Sequence, residues 1–199
     1  TAPASRLIEL VFDGLPEGDT AAVADAIASL IARAADAPPA LTLRRVSPRV
    51  VCACIARLAG GPLTHLTLDG CALGDRGVGR LAQALPALTA LRALVLRGTG
   101  VRAAGLQALA AALVRAPHLV TLSAEDDIAA AVAAAPPARA AQCLSYAATI
   151  AAHNRRQADG ADENAEVWTS TLPPQFSRLA QYIAETEEKE NVKKEPKTS

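Results

Sequence analysis

Methionine is absent from this chain, and its aromatic residues are one tryptophan, two tyrosines and two phenylalanines. A core without these bulky fillers has to be built from leucine, valine and small residues, in thin and closely spaced layers. Alanine supplies roughly a quarter of the residues. An excess of charge is missing as well, since the formal net charge at pH 7 is zero. That removes the bulk electrostatic case for binding nucleic acid or an anionic membrane surface. No stretch is apolar for long enough to span a bilayer. The early run "LIELVF" is interrupted by Glu9 and lacks a basic flank, which makes it a poor signal-peptide core. The chain starts at Thr1 rather than at a methionine, which leaves room for a removed leader.

Chemistry is scarce too. The four cysteines (Cys52, Cys54, Cys71 and Cys143) sit in apolar or helical context without a secreted spacing pattern. They read as small buried hydrophobes of a reducing compartment. Cys52 and Cys54 are two apart, and on a helix their side chains diverge by about 200°. His65, His118 and His153 are widely spaced, and none pairs with a cysteine at zinc-ligand spacing. No nucleophile elbow surrounds any serine. The expectation is no catalytic residue, no cofactor, no metal and no small-molecule substrate.

What the chain does contain is best seen in "ALVLRGTGVRAAGLQAL", residues 93 to 109. A leucine and β-branched run feeds a Gly-x-Gly-x-x-Ala turn (Gly98, Gly100, Ala103), the outline of a dinucleotide-binding loop. Repetition supplies another cause. The stretch from Leu63 aligns with the stretch from Leu91 at a spacing of 28 residues. Leu63, Leu66, Leu68, Cys71, Leu73, Gly77, Leu81 and Leu85 map onto Leu91, Leu94, Leu96, Thr99, Val101, Gly105, Leu109 and Leu113. A third start follows at Leu119, with Leu122 and Ala124 in register. Leucines two apart on a short strand face one way, and leucines four apart on the following helix face back at them. The glycine turn is then a strand-to-helix connection, and nucleotide binding is the losing reading.

The pattern L-x-x-L-x-L-x-x-C/T-x-L, then Gly, then L-x-x-x-L resembles the ribonuclease-inhibitor-like class of leucine-rich repeat over residues 63 to 127. Weaker copies precede it: Leu7, Leu10, Phe12 and Leu15, then Leu41, Leu43 and Val46 on a repeat shortened to 25 residues. That makes about four repeats plus a final strand, near the minimum for stacked units to bury a continuous core. The resemblance implies an α/β solenoid, with a short curved parallel sheet inside and helices outside, over residues 1–135. The repeat pattern ends past Asp127. A helix over 136–158, with Cys143, Ala147, Ile150 and Ala151 on one stripe, is expected to cap the open end. Residues 159–184 read as a linker and an aromatic-bearing helical segment, in which Trp168, Phe176, Leu179, Tyr182 and Ile183 either fold back or engage a partner. Residues 185–199 carry all four lysines and read as a disordered charged tail.

On the strands, side chains that alternate with the buried leucines form columns on the exposed sheet face. One column reads Val11, Thr42, Thr67, Val95, Ser123; the next reads Asp13, Arg44, Asp69, Arg97, Glu125, acid and base in turn. Glu9, His65 and Arg92 lie beside them. Neighbouring strands are roughly 4.8 Å apart, so these charges either satisfy one another or form a polar recognition strip. Exposed pairs of this kind contribute only ~0–1 kcal/mol each. Both readings stay open at this point. The resemblance implies protein–protein interaction: a non-enzymatic scaffold or accessory subunit of a larger multiprotein assembly. The alternatives are a regulator of a GTPase or other enzyme, as some related repeat proteins are, and a substrate adaptor. The compartment expected is intracellular, cytoplasmic or cytoskeletal (axonemal), or mitochondrial after leader removal.

Overall fold

A computed structural model of the chain describes residues 8–15, 18–33 and 39–159. Trp168, Phe176, Leu179, Tyr182 and Ile183, the linker and the lysine-bearing tail lie outside the described residues. The chain divides into a compact unit of residues 1–157 and a second unit, 158–199, of which only the end of the last helix is described.

Strands and helices alternate along the first unit. The strands are β1 (Ile8–Asp13), β2 (Pro39–Arg44), β3 (His65–Asp69), β4 (Ala93–Arg97) and β5 (Thr121–Ser123). The helices are α1 (Thr20–Arg33), α2 (Pro48–Leu58), α3 (Gly74–Ala84), α4 (Ala103–Leu113), α5 (Glu125–Ala134) and α6 (Pro137–Asp159). All five strands are parallel and lie in sequence order, β1-β2-β3-β4-β5. A helix between each pair of strands is what parallel pairing demands, because the chain must return before each new strand. The fold is therefore α/β, as the repeat pattern predicts. Among the described residues no helix is long and apolar enough to cross a membrane.

Register follows from the leucines. Leu10, Leu41, Leu66, Leu94 and Leu122 form one column across the sheet, and Phe12, Leu43, Leu68 and Leu96 form a second. From Leu41 onward these side chains are buried, against helix residues such as Val51, Leu81 and Leu109. A slip of one residue would turn both columns to solvent, so burial itself fixes the pairing.

One turn recurs at the strand ends. Gly14, Arg45, Gly70 and Gly98 all adopt left-handed backbone, with φ between 51° and 63°. The amides of Gly14, Arg45 and Gly70 donate to the carbonyls of Arg44, Asp69 and Arg97 on the next strand, at 2.8–3.0 Å. The ladder thereby gains one bond beyond β1, β2 and β3 before the chain swings toward its helix. At 98 the left-handed φ of 56° is itself the physical reason for a glycine. Gly105 has a different one: a Cβ there would strike Val101 Cγ2 and come within 2.9 Å of Asp75 Oδ1.

Polar groups stitch successive units together. Asp75 Oδ1 accepts from the amides of Arg102 (2.7 Å) and Gly105 (2.9 Å). The buried Asp127 carboxylate accepts from Thr99 N, Thr99 Oγ1 and Gly100 N at 2.9–3.1 Å. Cys71, Thr99 and Asp127 are spaced by 28, and Cys71 Sγ donates to Leu43 O, 28 residues back, at 3.3 Å. The repeat thus extends into α5, past the point where apolar spacing alone fades.

The last helix, α6, closes the β5 side of the sheet. Its stripe of Cys143, Ala147 and Ile150 is buried, with Ala151 half-buried beside it. Asn154 accepts from Leu122 N (3.0 Å) and donates to Leu122 O (2.8 Å), the two bonds a further strand would have made. His153 Nε2 donates to Leu119 O at 2.7 Å.

Candidate functional site

The exposed sheet face is built by the alternation of each strand. Glu9, Ala40, His65, Ala93 and Thr121 lie in one register column; Val11, Thr42, Thr67, Val95 and Ser123 lie in the next. Asp13, Arg44, Asp69 and Arg97 form the third. Glu125 is not its fifth strand member. β5 ends at Ser123, and Glu125 opens α5, with Asp126 and Asp127 beside it in the first helical turn. Three acids suit the positive end of a helix, and that start shortens the final strand.

Only part of the acid–base column closes on itself. Arg44 Nε lies 3.7 Å from Asp69 Oδ2. Asp13 pairs with Arg45, not Arg44: Arg45 Nε and Nη2 reach its two oxygens at 2.8 and 2.6 Å. That bidentate grip holds the Asp13 carboxyl below its usual range. Arg45 makes it from a left-handed backbone position just after β2. Arg97 makes no ion pair within 4.0 Å among the described residues, although its charge acts on Glu125. Burial, reinforced by Asp126, raises the Glu125 carboxyl above its ordinary value.

At the opposite ends of the strands the candidates have local work. Thr42 Oγ1 donates to Glu9 Oε1 at 3.0 Å. His65 is half-buried, its Nδ1 lies 2.9 Å from Thr64 Oγ1, and burial lowers its pKa. Arg92 stands just before β4, where its guanidinium donates to His118 O at 3.0 Å. The face therefore divides into an entry row (Glu9, His65, Arg92) and an exit row (Asp13, Arg44, Asp69, Arg97) with Val11, Thr67 and Val95 between them.

The cysteines are thiols. Cys54, Cys71 and Cys143 are buried and Cys52 is half-buried. Burial pushes the Cys54 thiol up to about 11. Among the described residues no three His, Cys, Asp or Glu side chains gather as a metal site. An open groove of about 420 Å³ runs between α1 and α2, walled by the Arg57–Asp25 ion pair at 2.9 Å.

Three functional-looking polar groups escaped the sequence reading: Arg45, Asp127 and Asn154. Asp127 was detectable by its spacing from Thr99. Asn154 and Arg45 acquire their roles only through partners more than thirty residues away. No protein-family model matches the chain, and no curated protein matches it.

Proposed function

We propose that the chain is a leucine-rich repeat solenoid of the ribonuclease-inhibitor-like class, acting as a non-enzymatic scaffold or accessory subunit of a larger protein assembly. Support for the repeat reading comes from the 28-residue offset shared by the leucine register from Leu66 to Leu122, the left-handed turns at Gly70 and Gly98, and the Cys71–Thr99–Asp127 column. The observation that carries the functional reading is the sheet face itself. It displays Thr67 and Val95 between two rows of charge, and it retains Arg97 without an ion-pair partner among the described residues. An exposed arginine beside β-branched residues is suited to an acidic or carbonyl-rich protein surface. The thiols fit a reducing compartment.

The test is cross-linking mass spectrometry on the endogenous protein in native extract, with sizing in parallel. Lysines are confined to residues 189–197, so the repeat body needs a carboxylate-directed reagent. The scaffold reading expects co-migration with a large complex, lost in the variant Arg97→Glu at unchanged thermal stability. Migration as a free monomer without cross-links would overturn it.

A further inference from the structure

The two outer edges of the sheet differ. At β5 the outward backbone groups of Leu122 are taken by Asn154. At β1 no strand or side chain among the described residues pairs with the outward edge. An edge strand presents alternate N–H and C=O groups as a template for another chain. Of the devices that usually block such an edge, the six residues of β1, Ile-Glu-Leu-Val-Phe-Asp, include no proline and no lysine, and their charges, Glu9 and Asp13, are both acidic. Its apolar residues are correspondingly under-covered. Leu10 and Phe12 are half-buried where their partners Leu41 and Leu43 are 1% and 0% exposed, and Val11 is 51% exposed.

We propose that the β1 edge is a docking site for an extended segment of a partner protein, added as a sixth, parallel strand with a basic residue opposite Glu9 and apolar residues beside Leu10, Val11 and Phe12. Charge selects this occupant. The Glu9 carboxylate is engaged by the Thr42 hydroxyl, a neutral donor, and among the described residues it makes no ion pair. Asp13 is already neutralised by Arg45, so the far end of the incoming strand carries no charge requirement. A second copy of this chain fits poorly. Two-fold pairing of β1 with itself is antiparallel, and centred on Val11 it sets each Glu9 against an Asp13 whose Arg45 is already committed, so neither Glu9 gains a free cation. The main-chain bonds would supply affinity and the alternating side chains specificity. This site depends on the sheet edge alone, so it stands or falls separately from the Arg97 face.

The experiment is hydrogen–deuterium exchange on the full chain with a synthetic peptide, Gly-Lys-Leu-Val-Leu-Thr-Gly, and a control with Glu in place of Lys. At ten times its Kd the lysine peptide should slow the outward-facing, alternate amides of residues 8–13 about tenfold and leave those facing β2, and Leu122, unchanged. The glutamate peptide should not protect them. Glu9→Lys should reverse the preference, and Glu9→Gln, the milder change, should abolish it. Equal protection by both peptides would overturn the proposal. So would slow exchange of the outward-facing β1 amides without peptide, which means the chain's own residues cover the edge. Protection that grows with protein concentration alone would assign the edge to a second copy instead.

Discussion

Two ends of one sheet are finished by different means. At β5, a long helix supplies a buried apolar stripe and a side-chain amide that imitates a strand, so the terminal leucine Leu122 is as buried as those in the middle. At β1, the same leucine position is only half-buried and the backbone edge is open among the described residues. Identical repeat chemistry therefore yields unequal burial, because each unit depends on a neighbour to cover it. Stability should be graded along the sheet in the same way.

The largest effect that would test this gradient is at the core leucines. Leu94→Ala, in a central strand with no exposure, should cost about 3–4 kcal/mol in urea denaturation, whereas Leu10→Ala at the β1 edge should cost about half as much. Equal losses would mean that the β1 end is as well packed as the centre. Next comes backbone approach between units. Gly105→Ala should destabilise by roughly 1–3 kcal/mol, since its Cβ meets Val101 and Asp75. Gly79→Ala, whose Cβ meets nothing within 4 Å, should instead stabilise α3 by about 0.5–1 kcal/mol. A smaller change, about 1–2 kcal/mol, is expected from Asn154→Ala, which leaves the Leu122 amide and carbonyl without partners. Amide exchange at Leu122 should then accelerate toward the rates at β1, making the two ends alike.

The smallest effect concerns pH. Burial lowers the His65 pKa in the folded chain below its ordinary value of 6.5. Between the folded value and 6.5 the unfolded chain binds more protons, so stability rises with pH across that window and falls on acidification. His65→Gln should flatten that slope in melts recorded from pH 5 to 7.5. An unchanged slope would place its origin in another group.

The central units were readable from spacing. Eight residues recur at 28 between Leu63 and Leu113, and the register that pairs Leu66 with Leu94 and Thr67 with Val95 has that offset. Period-2 alternation then dictated which residues share one face, and the column of Val11, Thr42, Thr67, Val95 and Ser123 emerges in the predicted register, although Thr42 is buried within it. The acid–base column does so only as far as Arg97, and beside His65 the register places Ala93 rather than the expected Arg92. Glu125 departs because three consecutive acids favour an early helix start, and local helix chemistry there overrides the strand pattern. The Asp13–Arg44 pair that an ion ladder would contain does not form: Arg45, in left-handed backbone just after β2, grips both Asp13 oxygens.

By itself the sequence determined the repeat length, the parallel α/β order, the leucine columns and the stripe on α6. These are consequences of periodicity, which any chain folding in such units must obey to bury its apolar groups. The tertiary structure alone decided which charges pair, which carboxylates serve the backbone, and which edge of the sheet is closed. Those outcomes rest on groups brought together from some thirty residues apart, where a difference of one or two ångströms separates a hydrogen bond from none. No spacing in the chain encodes a distance that fine.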